Sequence, residues 1–512
     1  MKIVFYLICF VHFLVEVDGA QILVFAYHDS GSHFKSLGGY LTSLANAGHS
    51  VTLVDSIFEE FPFKHPNISR VKITTEYEEV PAYIYWNWYV LSPMMLTTFA
   101  HSDLVFGTML DKYEKEYRDL LTSKWDLVIV DALFSIHGYA IATSLKKRFG
   151  TPYVTYETAC QLMDWHGAML SLGASRSFKH LIEILGWNPV SKAYLYSSAS
   201  RKVYEPNRLL DRTYAALNSW IEIFGFYYFP PAINYPNMRR FGVDNFYWVD
   251  YLNNASLIFL DRIDKFGWIR PSGTELIDIG AKCSQSSSLL PEDLRSFVED
   301  ENSKGTIYIA FGTHPNWTKA PDHLLNSFRY VLSRLDDYRV IFSFNGDLSI
   351  MPKVSFVKYV KWTPQAAILN HRNTKLFISH VGLKSVKEAI CAAVPVLAIP
   401  LFAEQPYSGE MVLKIGIGRT LSKYRLNGAQ MLNEVHEFLN NPKYANTIRR
   451  LSTMFLDLPI LSSDLALHKT ERLLRVGTDR MAFRRRGSQL KWIEWLYVDL
   501  FLIVLSFLFI CK

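Results

Sequence analysis

Two side chains in the N-terminal half are of the types that general-base catalysis requires. His33 comes shortly after the apolar run from Ile22 to Tyr27, and Asp131 directly follows the run from Leu127 to Val130. A histidine held by a carboxylate is a base that works near neutral pH, because the carboxylate orients the ring and stabilises its protonated form. Either residue alone would more often be a helix cap or a turn former. Together they predict a base that removes a proton from a hydroxyl group, with His28 as a weaker candidate than His33.

A second candidate site is the turn within LFISHVGLKSVKEAI, residues 376–390. The first three residues are typical of a strand, and from Val386 onward apolar residues recur at helical spacing. Backbone N–H groups at such a helix start bind phosphates. The turn has one glycine, Gly382, and Lys384 begins the helix, where a cation opposes the helix dipole by roughly 0.3–1 kcal/mol unless an anion lies beside it. The pattern predicts a remodelled phosphate site in which Lys384 faces a diphosphate, and a solvated Lys384 is the alternative.

Strand-like and helix-like segments alternate in both halves of the chain. Apolar strands at residues 22–27 and 127–130 are separated by helical patterns, and a second alternating series begins near residue 306. This alternation predicts an α/β protein with βαβ units and a parallel sheet in each half. The polar stretch from Lys282 to Leu294 is typical of a linker. Two such domains enclose a cleft, which is a natural place for a reaction between two substrates.

Two further segments flank the turn, WTPQAAILNH at residues 362–371 and VPVLAIPLFAEQPYS at residues 394–408. With GSHF near the start, DLVIVD, AFGT and the apolar ends, they resemble the UDP-dependent glycosyltransferases, the family of animal UDP-glucuronosyltransferases and UDP-glucosyltransferases, over nearly the whole chain. The resemblance implies a GT-B fold, in which two Rossmann-like parallel-sheet domains face a cleft. It also implies metal-independent, inverting transfer of a hexosyl group, with the UDP-sugar as co-substrate and no cofactor.

The family's functional positions can be carried over to this sequence one by one. His33 and Asp131 match the catalytic pair. Trp362 would stack on uracil, and Gln365 would bind the nucleoside. The remaining positions would contact the phosphates, the ribose or the transferred sugar: Thr313, His380, Gly382, Lys384 and Ser385 at the diphosphate, Glu388 at the ribose, and Glu404 and Gln405 at the sugar.

Several positions depart from the family pattern. The usual His-Gly-Gly-x-Asn-Ser reads His-Val-Gly-Leu-Lys-Ser here, so Val381 brings a branched Cβ to a position where the backbone should pass close to phosphate. Ala393 replaces a glycine, Glu404 an aspartate and Ser408 an asparagine. These departures keep a second function open, that of a catalytically weak or inactive relative that binds ligands or partner subunits. They also leave the sugar, the acceptor and the oligomeric state open.

Both ends of the chain are apolar. Residues 1–20 have the layout of a cleaved signal peptide, with an uncleaved anchor as the alternative. Residues 492–512 predict a single-pass membrane anchor, and a removed lipid-anchor signal stays open because only Lys512 follows the apolar run. The chain is therefore expected in the endoplasmic reticulum membrane with its catalytic domains in the lumen. The predicted divisions are 1–20 signal, 21–280 acceptor domain, 281–304 linker, 305–460 donor domain, 461–491 basic juxtamembrane segment and 492–512 anchor.

Composition supports a globular, lumenal protein. The net charge of +6 equals the excess in residues 469–491, which hold eight Lys or Arg and two Asp or Glu, so the remainder is balanced and nucleic-acid binding is excluded. Glycosylation sequons occur at Asn67, Asn254 and Asn316. Outside the apolar ends the cysteines number three, at positions 160, 283 and 391, which implies no disulfide framework. Aromatic stretches at 83–91 and 224–231 could line a pocket for a small lipophilic acceptor, although such stretches more often form core.

Overall fold

The fold was analysed in a computed structural model of the chain. The structure describes residues 19–26, 31–55, 65–74, 86, 92–132, 135–158, 208–210, 213, 235–263, 275–283, 289–313, 315–402, 404–477 and 498–510. The predicted signal peptide, His28, Cys160 and the stretch 224–231 lie outside these residues, apart from Gly19 and Ala20 at the end of the signal.

The N-terminal domain is built on one sheet with the strand order β3-β2-β1-β4-β5-β6-β7, and every neighbouring pair is parallel. Its strands are β1 (Gln21–Phe25), β2 (Ser50–Asp55), β3 (Ile68–Lys72), β4 (Leu127–Asp131), β5 (Tyr153–Glu157), β6 (Leu257–Leu260) and β7 (Leu276–Asp278). Its described helices are α1 (Gly31–Asn46), α2 (Ser92–Lys112), α3 (Glu114–Thr122), α4 (Ile136–Phe149) and α5 (Trp248–Asn254).

The apolar runs explain why this sheet is parallel and central. Strands β4 and β5 are buried along their whole length, as expected for strands covered by helices on both faces. Helix α1 packs on the sheet through one face, formed by Leu37, Tyr40, Leu41 and Leu44. It ends near Gly48, whose φ of 91° suits glycine.

The C-terminal domain repeats the same design. Its sheet is again parallel, with the order β10-β9-β8-β11-β12-β13. Its strands are β8 (Thr306–Ala310), β9 (Arg339–Ser343), β10 (Val357–Val360), β11 (Thr374–Ser379), β12 (Val396–Ala398) and β13 (Gly418–Thr420). Its helices, with those that follow, are α6 (Glu292–Val298), α7 (Asp322–Leu332), α8 (Gln365–Leu369), α9 (Leu383–Cys391), α10 (Gln405–Lys414), α11 (Gly428–Asn440), α12 (Pro442–Phe455), α13 (Ser462–Val476) and α14 (Val498–Ile510).

In both sheets the strand order reverses beside the first strand of the domain. In the N-terminal sheet this point lies between β1 and β4, and in the C-terminal sheet between β8 and β11. Ligands of open α/β sheets bind outside the carboxyl ends of the strands at such a reversal. His33, Asp131, Thr313 and His380 lie at or after the ends of β1, β4, β8 and β11, so the topology places these four residues at the two switch points.

Two predicted connecting segments take part in packing instead. Helix α6 lies within the predicted linker, and its Leu294 and Val298 are buried in the core of the C-terminal domain. Helix α13 lies within the predicted basic juxtamembrane segment. It packs back on the N-terminal domain, where Ala466 is fully buried and Thr470 lies 2.6 Å from the hydroxyl of Tyr40. The physical reason is that α13 has an apolar face among its charges, and that face packs on the core of the N-terminal domain.

Cys283 and Cys391 form a disulfide, with their Cα atoms 5.8 Å apart. The three cysteines implied no disulfide framework in the sequence, and this one bond was not predicted. The two cysteines are 108 residues apart in sequence, one after β7 and the other at the end of α9. Only the folded chain brings them together.

Among the described residues, no helix combines the length and the apolar character needed to cross a membrane. The described part of the predicted anchor is α14, an apolar helix of 13 residues whose side chains are exposed or half-buried. The predicted anchor at 492–512 stays a prediction.

Candidate active site

The predicted base pair meets at the switch point of the N-terminal sheet. His33 lies in the first turn of α1, and Asp131 is the last residue of β4. The Nδ1 atom of His33 is 2.6 Å from Oδ2 of Asp131, whose side chain is fully buried. Carboxylate oxygens accept hydrogen bonds, so this contact is a hydrogen bond in the tautomer that carries the ring proton on Nδ1. The other ring nitrogen, Nε2, is thereby directed away from the carboxylate, as a general base requires.

Thr158, which the sequence analysis missed, completes this arrangement. It follows β5, the strand next to β4, and its hydroxyl donates to Oδ1 of Asp131 over 2.8 Å. The same hydroxyl lies 2.5 Å from Nδ1 of His33. Asp131 is thus held through both carboxylate oxygens. The signal in the sequence was the position of Thr158 at the carboxyl end of a neighbouring strand.

Three predicted donor-binding residues, Gln365, Ser385 and Glu388, are in contact with one another through the side chain of Gln365. Its amide nitrogen donates to Oε2 of Glu388 over 2.6 Å and to the hydroxyl of Ser385 over 3.2 Å. The hydroxyl of Tyr308 donates to the side-chain oxygen Oε1 of Gln365 at 3.3 Å. Trp362, three residues before Gln365, is 66% exposed. An indole this exposed beside ordered polar groups is suited to stack on a base.

The loops after β8 and β11 approach each other closely at His380. A Cβ atom placed on Gly382 would lie 2.9 Å from Nε2 of His380, and one on Gly312 would lie 3.2 Å from it. Gly312 also has a φ of 78°, which favours glycine. Thr313 follows it and is exposed. The C-terminal switch point therefore gathers these residues, as the resemblance implies.

Glu404 and Gln405 precede and begin α10, and both are held by backbone groups. Oε1 of Glu404 accepts a hydrogen bond of 3.3 Å from the backbone N–H of Leu383, at the start of α9. The side-chain oxygen Oε1 of Gln405 accepts hydrogen bonds from the backbone N–H groups of Leu401 and Phe402 at 2.9 and 3.0 Å. Since the oxygen of Gln405 is used in this way, its NH2 group is the part suited to bind a ligand oxygen.

Lys384 lies in the first turn of α9, as predicted, and its side chain reaches a residue that the sequence analysis did not connect with it. The ammonium group donates to Oδ2 of Asp261, which belongs to the N-terminal domain. The alternative of a solvated lysine is wrong, because this ammonium is paired with a buried carboxylate, whereas a contact of Lys384 with a diphosphate stays a prediction. The physical reason is that a buried carboxylate lies within its reach, and no local sequence pattern connects residues 261 and 384.

The glycine replacements Val381 and Ala393 have positive φ angles of 57° and 55°. These two are the described non-glycine residues with positive φ, and the left-handed region costs an L-residue roughly 1–2 kcal/mol. Val381 is fully buried among the apolar residues of the C-terminal core. In the sequence its branched side chain stood where the backbone should pass close to phosphate. In the structure that side chain lies in the core, and the substitution affects the backbone conformation.

The three sequons lie at accessible positions. Asn67 and Asn254 are exposed and Asn316 is half-buried. The backbone carbonyl of Asn316 accepts a 2.9 Å hydrogen bond from the indole of Trp86. Trp86 is the one described residue of the aromatic stretch 83–91, and it is buried against Trp317 with ring centroids 4.8 Å apart. At this residue the stretch forms core.

No group of three or more His, Cys, Asp or Glu side chains among the described residues is arranged to hold a metal ion.

Comparisons with known proteins agree with this geometry. The model of the family described as UDP-glucoronosyl and UDP-glucosyl transferase matches residues 241–511. The chain is 28% identical to the UDP-glycosyltransferase UGT4 of Dactylopius coccus over 94% of this chain and 91% of that protein. It is 31% identical to a UDP-glucuronosyltransferase of Pleuronectes platessa over 50% of this chain and 54% of the fish protein.

Solved structures share the fold. The crystal structure of LpCGTa in complex with UDP has a TM-score of 0.54 and 15% identity, and the match covers 89% of this chain and 99% of that one. The two-sheet architecture is the GT-B fold of glycosyltransferases. Because the family model matches more than half of the chain, the protein belongs to the UDP-glucuronosyl and UDP-glucosyl transferases, enzymes that transfer sugars from UDP-sugar donors.

Proposed function

We propose that the protein catalyses inverting transfer of glucose or glucuronic acid from a UDP-sugar to a hydroxyl group of a small lipophilic acceptor. The observation that carries the proposal is the contact between His33 and Asp131 at the switch point of the N-terminal sheet. It is joined by the contacts of Gln365, which lies three residues after the exposed Trp362, with Ser385 and Glu388 of α9. The first supplies a base for the acceptor, and the second supplies a site for the nucleotide.

The reaction follows from these roles. Nε2 of His33 takes the proton of the acceptor hydroxyl while its oxygen attacks the anomeric carbon of the sugar. The bond from that carbon to the β-phosphate oxygen breaks, and UDP leaves with the electron pair. A single displacement on the face opposite UDP inverts the anomeric configuration. Asp131 stabilises the imidazolium that forms, and the N-terminus of α9 favours the negative charge that develops on the diphosphate.

A second candidate function is binding without turnover. It is favoured by the strained backbone at Val381 and Ala393 and by the engagement of Lys384 with Asp261. Both features lie around the helix whose N-terminus would receive the diphosphate. This reading predicts that UDP or an acceptor binds while the rate of transfer is very low.

One experiment separates these functions. The purified protein is incubated with UDP-glucose or UDP-glucuronic acid and a panel of phenols, steroids and sterols, and UDP affinity is measured by calorimetry. Formation of a β-linked product from the α-linked donor is the expected result. UDP binding without any product would favour the second function, and a retained anomeric configuration would overturn the inverting mechanism.

For the cellular location we propose the lumenal side of the endoplasmic reticulum membrane. The Cys283–Cys391 disulfide supports an oxidising compartment, and the three sequons support exposure to the glycosylation machinery. A chain truncated after Lys491 is expected to leave the membrane fraction in carbonate extraction. Full retention of the truncated chain would reject a single C-terminal anchor.

A further inference from the structure

A fully buried carboxylate joins the two domains. Asp261 follows β6, and its Oδ2 atom accepts hydrogen bonds from the hydroxyl of Ser36, at 2.5 Å, and from the ammonium of Lys384. Its Oδ1 atom accepts from Lys387, whose ammonium is also 3.2 Å from the backbone carbonyl of Asp261. The ammonium of Lys282 is 3.9 Å from Oδ1. One anion therefore has three cations around it.

Ser36, Lys384 and Lys387 come from the two helices that matter for transfer. Ser36 lies three residues after His33 on α1, so the two side chains are on neighbouring positions of one helix face. Lys384 lies next to Ser385 in the first turn of α9, whose N-terminus faces the predicted diphosphate position. A single carboxylate oxygen thus connects the helix that carries the base with the helix that begins at the donor site.

The charge of Asp261 is essential to this connection. Burial by itself raises the pKa of Asp261, but the three ammonium groups outweigh burial and hold the pKa well below its usual range. A neutral side chain at this position would leave Lys387, which is 5% exposed, without its counter-charge. Removing one partner of a buried ion pair is strongly destabilising locally, because the other charge stays desolvated.

The opposite end of α9 is held covalently. Cys391 is the last residue of α9 and is bonded to Cys283. The residue before Cys283, Lys282, donates to the backbone carbonyl of Ser36 at 2.8 Å and to the hydroxyl of Tyr156 at 3.2 Å. Helix α9 is therefore connected to the surroundings of α1 at both of its ends.

We propose that Asp261 is a positioning residue for sugar transfer, which holds the donor helix α9 at a fixed offset from the base helix α1 through Lys384 and Ser36. The proposal rests on the proposed transfer function. Transfer needs the acceptor oxygen and the anomeric carbon at about 3–3.5 Å, and a misplacement of about 1 Å costs on the order of 10²-fold in rate. In this chain the distance between α1 and α9 is set by the ion pair of Lys384 with Asp261. Position 384 is the one at which the family pattern has a neutral asparagine.

The first test does not depend on activity. Asp261→Asn keeps the size of the side chain and removes its charge. Hydrogen–deuterium exchange of the ligand-free variant is expected to be at least about fivefold faster in both residues 31–46 and 383–391, because each helix loses its bond to the other. The matched control is Asp278→Asn, which breaks an ion pair with Arg262 inside the N-terminal domain. It should affect exchange only near itself, and unchanged exchange in both helices of Asp261→Asn would overturn the proposal.

The second test uses the reaction. For Asp261→Asn we expect kcat to fall roughly 10–100-fold, while UDP still binds at one site per chain with Kd within about threefold. The ratio of UDP-sugar hydrolysis to transfer should rise, because a displaced donor reacts with water in place of the acceptor. A merely structural loss lowers both rates in proportion, so an unchanged ratio would refute the positioning role.

One more single variant keeps the test decisive if Asp261→Asn folds poorly. Lys384→Met retains the pair of Asp261 with Lys387 and should show the same rise in the hydrolysis ratio, with a smaller loss of kcat. Added to Asp261→Asn, it should cost less than about threefold more, since the bridge is already broken. If the loss of kcat in the double variant equals the product of the losses in the two single variants, Lys384 and Asp261 do not act through one contact, and the proposal is overturned. If the wild-type chain shows no transfer, the proposed function fails, and the exchange experiment still decides whether the bridge holds the helices.

Discussion

The Nδ1 atom of His33 and the Oδ2 atom of Asp131 lie 2.6 Å apart, with the carboxylate fully buried at the end of its strand. His33→Ala should reduce transfer by roughly 10²–10⁴-fold, the effect of a positioned base, while UDP affinity stays unchanged. Asp131→Asn should lose a similar factor because the imidazolium loses its charge partner. The double variant should be little worse than His33→Ala, since the pair acts as one unit.

The control for this prediction is Asp126→Asn. Asp126 lies just before the same strand at its opposite end, where it accepts a hydrogen bond of 2.8 Å from the backbone N–H of Gln21. Steady-state kinetics should leave this variant near wild type. An active wild type that keeps most of its activity after His33→Ala would rule out the mechanism.

Thr158 should be needed to hold the carboxylate. A hydrogen bond to a charged group contributes about 1.5–3 kcal/mol, so Thr158→Val should lower kcat by roughly tenfold or more. Thr158→Ser keeps the hydroxyl and should retain most of the activity. Kinetics of both variants at one pH provide the measurement, and equal activity of Val and Ser would remove Thr158 from the site.

Trp362 should carry much of the affinity for the nucleotide. Stacking of a base on an aromatic side chain is worth about 1–3 kcal/mol, so Trp362→Ala should raise the Kd for UDP by roughly 5–150-fold. Trp362→Phe should lose less, because a ring remains. Leu348→Ala is a control at another exposed apolar side chain of the same domain. Calorimetric titration with UDP decides the outcome, and an unaltered Kd for Trp362→Ala would place the base elsewhere.

Ala393→Gly should stabilise the protein. Ala393 has a φ of 55°, which glycine adopts without steric cost, so we expect a gain of about 0.5–1 kcal/mol in the free energy of unfolding. The neighbouring Ala392 has a φ of −83° and is also half-buried. Ala392→Gly should lose a similar amount through the entropy of the unfolded chain. Urea unfolding of the two variants compares them, and destabilisation by Ala393→Gly would show that the residue is not strained.

His137 should make the N-terminal domain sensitive to acid. Burial lowers the pKa of this histidine to about 4. Between pH 4 and pH 6.5 the unfolded chain therefore binds more protons at this residue than the folded chain, so stability is lost as pH falls through this window. The loss attributable to His137 should reach up to about 3 kcal/mol at pH 4.

Comparison of variants isolates this contribution. His137→Phe should flatten the dependence of unfolding free energy on pH between 6.5 and 4. The same change at the exposed His436 should leave the slope as in the wild type. Equal slopes for wild type and His137→Phe would refute the assignment to His137.

The sequence by itself determined the local pattern of this protein. Apolar runs and helical spacing predicted two parallel sheets, and the position of His33 and Asp131 after their strands predicted that they meet. The resemblance carried by three segments also named Trp362, Gln365 and Ser385 as donor-binding residues; Gln365 and Ser385 are in contact, and the donor-binding roles stay predictions. The predictions of the two sheets and of the contact between His33 and Asp131 succeeded because they depend on periodicity and on connections of ordinary length.

The tertiary structure decided the contacts between distant residues. Lys384 was read against the phosphate that its own helix could bind, but its partner is Asp261, which lies 123 residues away in the other domain. Thr158, the Cys283–Cys391 bond and the packing of α13 on α1 likewise join segments far apart in the chain. A local pattern records which face of an element is apolar or charged. The packing of the whole chain decides which partner that face contacts. A buried carboxylate is stable only when it is paired with cations, and an apolar helix face is stable only when it is buried in a core.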